Sequence, residues 1–133
     1  MILVDTPIWS EAMRRVKGSG NPAVLNSLSE LIVHKSAILI GSVRQELLSG
    51  IGDANLFARI RERMEIFQDF VPDSDDYILA AELENQCRRS GVKGSNVDML
   101  ICAVSIHHGM EIFTLDKDFD HYAKAIPIRL FKV

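Results

Sequence analysis

Two short apolar runs, MILV at residues 1–4 and AILI at 37–40, each lead at once into a helix-start signal rather than into a turn. Strands joined by a tight turn are antiparallel, so strands that run straight into helices have to be parallel neighbours linked by crossovers. That one feature selects an α/β fold in which helices cover the faces of a parallel sheet. Thr6 is expected to cap a first helix, with Pro7 at its first position and the helix running to about Met13. Gly18-Ser19-Gly20 closes it, and Asn21-Pro22 repeats the signal for a helix carrying Val24, Leu25, Leu28, Leu31 and Ile32.

After AILI, Ser42 and Gln45 have capping-box spacing and open a helix that carries Glu46. Residues 53–67 are amphipathic through Leu56, Ile60, Met64 and Phe67, and a short third strand is expected within 66–71. A helix from about Asp75 to Arg89 stops at Gly91. Asn96 is then expected to cap a helix that ends at Gly109, and a further strand spans Glu111–Leu115. With 133 residues and 47% hydrophobic content, one domain over residues 1–133 is expected, burying about 70% of the unfolded chain's surface.

Four acids fall where such a fold gathers its chemistry, outside the carboxyl ends of the strands. Asp5 ends the first strand, Glu46 lies just beyond the second, Asp98 opens a helix, and Asp116 follows the strand in IFTLD. Each alone has a structural reading, because acids favour the first turn of a helix and Asp favours turns. Together they pose an electrostatic problem. Two carboxylates about 4 Å apart repel by about 4 kcal/mol at an effective dielectric near 20, so either protons or a cation must neutralise them. The donors are hard oxygens with no paired His or Cys, which favours Mg²⁺, with Mn²⁺ as a substitute, over zinc. An ion held that way polarises a phosphoryl oxygen and activates water, so phosphodiester hydrolysis is the matching reaction. The formal charge of −3 argues against binding nucleic acid through overall charge, yet leaves room for recognition through a bound cation.

The stretches VDTPIW, VRQELLSG (43–50), RRSGVKGSNVDMLICAVSIHHG (88–109) and IFTLDKDFDHYAKAIPIRL (112–130) resemble, in their order and spacing, the PIN-domain nucleases, and among them the VapC-type toxins of toxin–antitoxin pairs. The resemblance implies a three-layer α/β/α fold around a central parallel sheet of four to five strands. It also implies Mg²⁺-dependent endoribonuclease activity leaving a 5′-phosphate and a 3′-hydroxyl, with tRNA or rRNA as candidate substrates. On that pattern Asp5 and Asp98 are the principal metal ligands, Glu46 the third acid and Asp116 the fourth. Thr114 matches a nearby hydroxyl position, and Asp118 and Thr6 are supporting candidates, with capping the other role open to Asp118. A homodimer, a cognate VapB-type antitoxin and an RNA substrate are implied as well, while a cytoplasmic location is expected from the lack of a membrane-length apolar run and of a leader-like start. Cys102 stands where the family often has alanine, and the loop KGSN before Asp98 is particular to this chain.

Two other classes compete: a PIN-like protein-binding module without catalysis, and a phospho-receiver-like signalling domain. The latter predicts an adjacent acid pair after the first strand, where this chain has Asp5-Thr6. Arg44 and Lys117, close in sequence to the acids, are candidate RNA contacts. Arg14, Arg15, Lys17, Arg88, Arg89 and Lys93 are further cations that a solvated surface would also explain. His107-His108 is expected to serve the carbonyls at a helix end, and Trp9 to pack. Cys87 and Cys102 fit neither a disulfide framework nor a metal motif. No run is long and apolar enough for a membrane span, and no leader segment is read at Met1.

Overall fold

A computed structural model describes residues 1–14 and 18–133, so Arg15 and Lys17 lie outside the described residues. The elements in order are β1 (Ile2–Val4), α1 (Thr6–Met13), α2 (Pro22–Val33), β2 (Ala37–Ile40), α3 (Gly41–Ser49), α4 (Ala54–Met64), β3 (Asp69–Phe70), α5 (Ser74–Arg89), α6 (Asn96–His107), β4 (Glu111–Phe113) and α7 (Asp118–Ala125). Four parallel strands form the sheet in the order β3-β2-β1-β4. Leu3 sits opposite Ile38 on one side and Ile112 on the other. Beyond β4, the chain near Leu130 adds a parallel bridge to Ile112, which covers that edge.

Strand order dictates the layers. The chain steps from β1 to β2 to β3 in one direction and then returns across the sheet to β4. Right-handed crossovers therefore put α1–α4 on one face and α5 and α6 on the other. Packing agrees: α1 contacts α2 and α3, and α3 contacts α4, whereas α5 contacts α6 and α7. The result is the three-layer α/β/α arrangement, and its core runs through both helical layers and the strands, including Leu3, Val4, Ile40, Ile101 and Phe113. The order reverses between β1 and β4, and a sheet that reverses leaves a crevice at the carboxyl ends of those two strands. Asp5 follows β1, and Thr114 and Asp116 follow β4, at that crevice.

Several helix starts differ from the sequence expectation by one or two residues, each for a local reason. Asp5, not Thr6, caps α1: its Oδ1 accepts from the Thr6 backbone N–H at 2.8 Å. Ser95, not Asn96, caps α6, its hydroxyl accepting from the Asp98 N–H at 3.1 Å. Ser42 caps nothing, because β2 passes directly into α3 with Ile40 at the cap position and no side-chain cap bond. Glycine at the stops behaves as expected. Gly91 and Gly109 take φ of 76° and 64°, the left-handed turn that ends a helix, and the N–H groups of Val92 and Met110 return to Cys87 and Ser105.

Trp9 is fully buried, donates its indole N–H to the Val4 carbonyl at 3.1 Å and packs on Phe67. Cys87 and Cys102 are buried free thiols. Among the described residues no helix is long and apolar enough to cross a membrane.

Candidate active site

At the β1/β4 crevice, three carboxylates from two elements come together: ligand atoms of Asp98, Asp116 and Asp118 all lie within 4.8 Å of one another. Asp98 sits in the first turn of α6. Asp116 and Asp118 flank the entry to α7, where Asp116 Oδ1 accepts the Asp118 backbone N–H at 2.9 Å. Asp116 thus accepts the first N–H of α7, Lys117 stands at the cap position with no side-chain cap bond, and the Asp118 carboxylate joins the cluster.

Asp5 is 3% exposed, and both of its oxygens are engaged. Besides Thr6, the Thr114 hydroxyl donates to Oδ2 at 2.7 Å, while the same hydroxyl accepts the Asp116 N–H at 3.0 Å. One Thr therefore ties the end of β1 to the acid-bearing loop after β4. Burial pushes the Asp5 carboxyl up to about 6. The Thr114 and Thr6 donors oppose this, and the charges of Asp98 and Glu46 add to it. Asp98 is raised as well, by burial first and then by Asp116 and Glu46, against the hydrogen bond from Tyr122. Glu46, exposed on α3, thus lies within electrostatic reach of both. The Thr6 hydroxyl is buried with no hydrogen-bond partner.

Tyr122 is the functional neighbour that sequence reading missed. Its ring is buried against Phe119, and its hydroxyl donates to Asp98 Oδ2 at 2.7 Å from α7, 24 residues away. Burial and the Asp98 carboxylate push the phenol far above its usual range, so it stays a donor. Nothing local marks Tyr122, because one turn of helix between it and Asp118 is also ordinary amphipathic spacing.

The two cations singled out near the acids part company. Arg44 donates to Asp69 Oδ1 at 3.0 Å, to the Met64 carbonyl at 2.9 Å and to the Phe67 carbonyl. Its guanidinium clips the α4–β3 connection onto α3, so the side chain has a structural duty beside the RNA contact expected of it. Lys117 is exposed between Asp116 and Asp118. His107 and His108 also differ from expectation: they turn to the buried Asp76, at 2.8 and 3.2 Å from its Oδ1, rather than to the helix carbonyls.

An all-oxygen cluster of this spacing fits a hard divalent cation, since such ions take carboxylate oxygens and little else. Among the described residues Asp98, Asp116 and Asp118 form such a group, whereas Asp5 and Glu46, expected as ligands with them, lie outside it: Asp5 is buried beside the cluster and Glu46 is exposed on α3, and both act on Asp98 or each other through charge.

A family model described as the PIN domain matches residues 2–125. Among solved structures, FitAcB from Neisseria gonorrhoeae is 22% identical, with 99% of this chain and 97% of that chain covered and a TM-score of 0.80. VapBC2 from Rickettsia felis, bound to a DNA fragment from their promoter, is 17% identical, with 98% of each chain covered and a TM-score of 0.75. VapBC-5 from Mycobacterium tuberculosis, a member of the VapBC family of toxin–antitoxin systems, is 18% identical, with 98% and 97% covered and a TM-score of 0.69. At these identities the likeness is one of fold. No curated protein sequence matches the chain.

Proposed function

The chain belongs to the PIN-domain family, and from that premise we propose that it is a Mg²⁺-dependent endoribonuclease acting as the toxin of a type II toxin–antitoxin pair. The observation that carries the reading is the meeting of Asp98, Asp116 and Asp118 within 4.8 Å beside the buried Asp5. A chain gains nothing in stability from crowding carboxylates that way without a cation.

In this reading Asp98, Asp116 and Asp118 hold Mg²⁺ or Mn²⁺, which when bound polarises the phosphoryl group and lowers the pKa of water. Asp5 closes the inner wall of the pocket, fixed by Thr6 and Thr114. Glu46, exposed on α3, takes the proton of the attacking water and returns it to solvent. Water adds to phosphorus and the P–O3′ bond breaks, the departing 3′-oxygen taking a proton from solvent, so that a 5′-phosphate and a 3′-hydroxyl result. Lys117, exposed between two of the acids, contacts substrate phosphate. The whole chain acts as one domain in the cytoplasm, as a homodimer restrained by a VapB-type antitoxin. That partner is supported by the solved relatives, which include a toxin–antitoxin complex from Klebsiella pneumoniae.

Sequencing RNA 5′-ends after brief expression of the wild type beside Asp5→Asn tests the proposal. New 5′-phosphate ends in the wild type alone are expected. Identical end profiles in the two would overturn it.

A further inference from the structure

A cleft of about 240 Å³ opens beside the three acids, lined by Gly91, Val92, Lys93, Asp118, His121 and Tyr122. A second, of about 400 Å³, shares Gly91, Val92 and Lys93 and continues to Gly94, Glu84 and Arg88. Asp118 belongs both to the acid cluster and to the first cleft, so the two clefts form one track that leads away from the acids across the α5–α6 loop.

Charge along the track changes sign with distance from the acids. Lys93 is exposed and has no hydrogen-bond or ion-pair partner among the described residues. Arg88 is bound to Glu84 at 3.3 Å, which neutralises that acid, while its own side chain remains 69% exposed. His121 stands on the opposite wall, on the exposed side of α7.

The loop that carries Lys93 is held in place. Gly91 turns the chain out of α5 through its left-handed backbone, and Val92 bonds back to the Cys87 carbonyl at 2.8 Å. A Cβ on Gly94 would lie 2.6 Å from Met99 Cε, so only glycine lets the loop settle on the buried Met99 without moving it.

We propose that the Lys93 track is the path of the RNA strand beyond the cleaved bond. Lys93 neutralises the phosphate next to the scissile one, and His121 and Arg88 flank the strand. Cations that meet a backbone bind independently of sequence, and on this track the large aromatic ring, Tyr122, is buried, which leaves the His121 imidazole as the one exposed ring among the lining residues. The track therefore contributes affinity and register rather than base choice. This inference rests on the nuclease reading, and its test separates the two.

The experiment compares the wild type, Lys93→Gln, Lys93→Arg and a remote control, Lys35→Gln, which lies at the opposite end of the strands. Cleavage of a short single-stranded RNA of mixed sequence is followed in Mg²⁺ over a series of KCl concentrations. Binding of the same RNA is measured by fluorescence anisotropy in the Asp5→Asn background. Lys93→Gln is expected to raise KM and weaken binding by about three- to tenfold with kcat unchanged, and to make the salt slope shallower by about 0.7. Lys93→Arg and Lys35→Gln are expected to follow the wild type. A wild-type KM, affinity and salt slope in Lys93→Gln would overturn the track. If the wild type itself cleaves no RNA, the nuclease reading fails and the binding arm alone decides the track by the same criterion.

Discussion

Asp5 and Asp76 are the two most deeply buried carboxylates described, at 3% and 1% exposure, and they occupy opposite electrostatic worlds. Burial alone would raise the Asp76 carboxyl, yet the Asp73 backbone N–H and the rings of His107 and His108 outweigh it and hold it below the ordinary range. Asp76 also closes a reciprocal cap with Asp73 at the start of α5, so each of its oxygens has work to do in the fold. Asp5 has two neutral donors, and its charged neighbours are the acids Asp98 and Glu46. Its carboxyl is therefore pushed up to about 6 rather than down. The same residue type at the same depth is in one place a fastening between α5 and α6, and in the other a charge left uncompensated by the protein's own cations. That contrast separates a carboxylate fastened into the fold from one whose surroundings raise its pKa, the mark of a candidate functional site.

The comparison breaks most visibly at Asp5. Asp5→Asn is expected to reduce RNA cleavage by at least about 100-fold and, in the metal-free protein near pH 7, to raise stability. The sign follows from linkage. Unfolded Asp ionises near 3.8 but folded Asp5 near 6, so wild-type stability without metal falls as pH rises between those values. Asn removes a loss of at most about 3 kcal/mol. Urea denaturation in EDTA across that range checks both the slope and the gain.

Asp76→Ala should act the opposite way, lowering stability by about 2–3 kcal/mol through the lost cap and charged hydrogen bonds, while the folded protein still cleaves at saturating Mg²⁺. Because the folded carboxyl is held below its unfolded value, the stabilisation from Asp76 is present above about pH 4 and drains away as pH falls below it. Acid unfolding of the variant beside the wild type measures that difference.

Tyr122→Phe sharpens the contrast within the acid cluster, since it keeps the ring and removes only the donor to Asp98. About tenfold weaker Mg²⁺ affinity is expected, with kcat recovered at saturating metal, and the lost hydrogen bond should lower stability by about 1–2 kcal/mol. Smallest is Arg44→Gln, which should cost about 1–2 kcal/mol through the lost clip and leave the salt slope of RNA binding untouched. A shallower slope in that variant would return Arg44 to the substrate.

Much of this arrangement was legible before the fold was known, for reasons that differ by residue. Strand ends at Asp5 and near Thr114 show because an apolar run must stop where the polar cap begins, and Gly91 and Gly109 show because few other residues take their backbone angles. Four acids beyond strand ends were visible as a set. Local patterns misled where the chain left no loop: Ser42 and Gln45 have the capping spacing, but β2 enters α3 directly and the motif has nothing to cap. Contacts set by tertiary approach stayed hidden. Tyr122 meets Asp98 only because α7 packs against α5 and brings its ring to the start of α6, and His107 and His108 find Asp76 only because α5 and α6 pack along their length. Asp118 illustrates both sides, since its position at the start of α7 was readable while its turn toward Asp98 was not.

The most direct test of the cation-binding carboxylate cluster is the shift in melting midpoint that millimolar Mg²⁺ produces in the metal-free protein. An ion that binds only the folded state must raise that midpoint. The wild type and Asp76→Ala should both gain several degrees (about 1–2 kcal/mol of linkage), whereas Asp98→Asn should gain none. Equal gains in all three, or no gain in the wild type, would contradict the account.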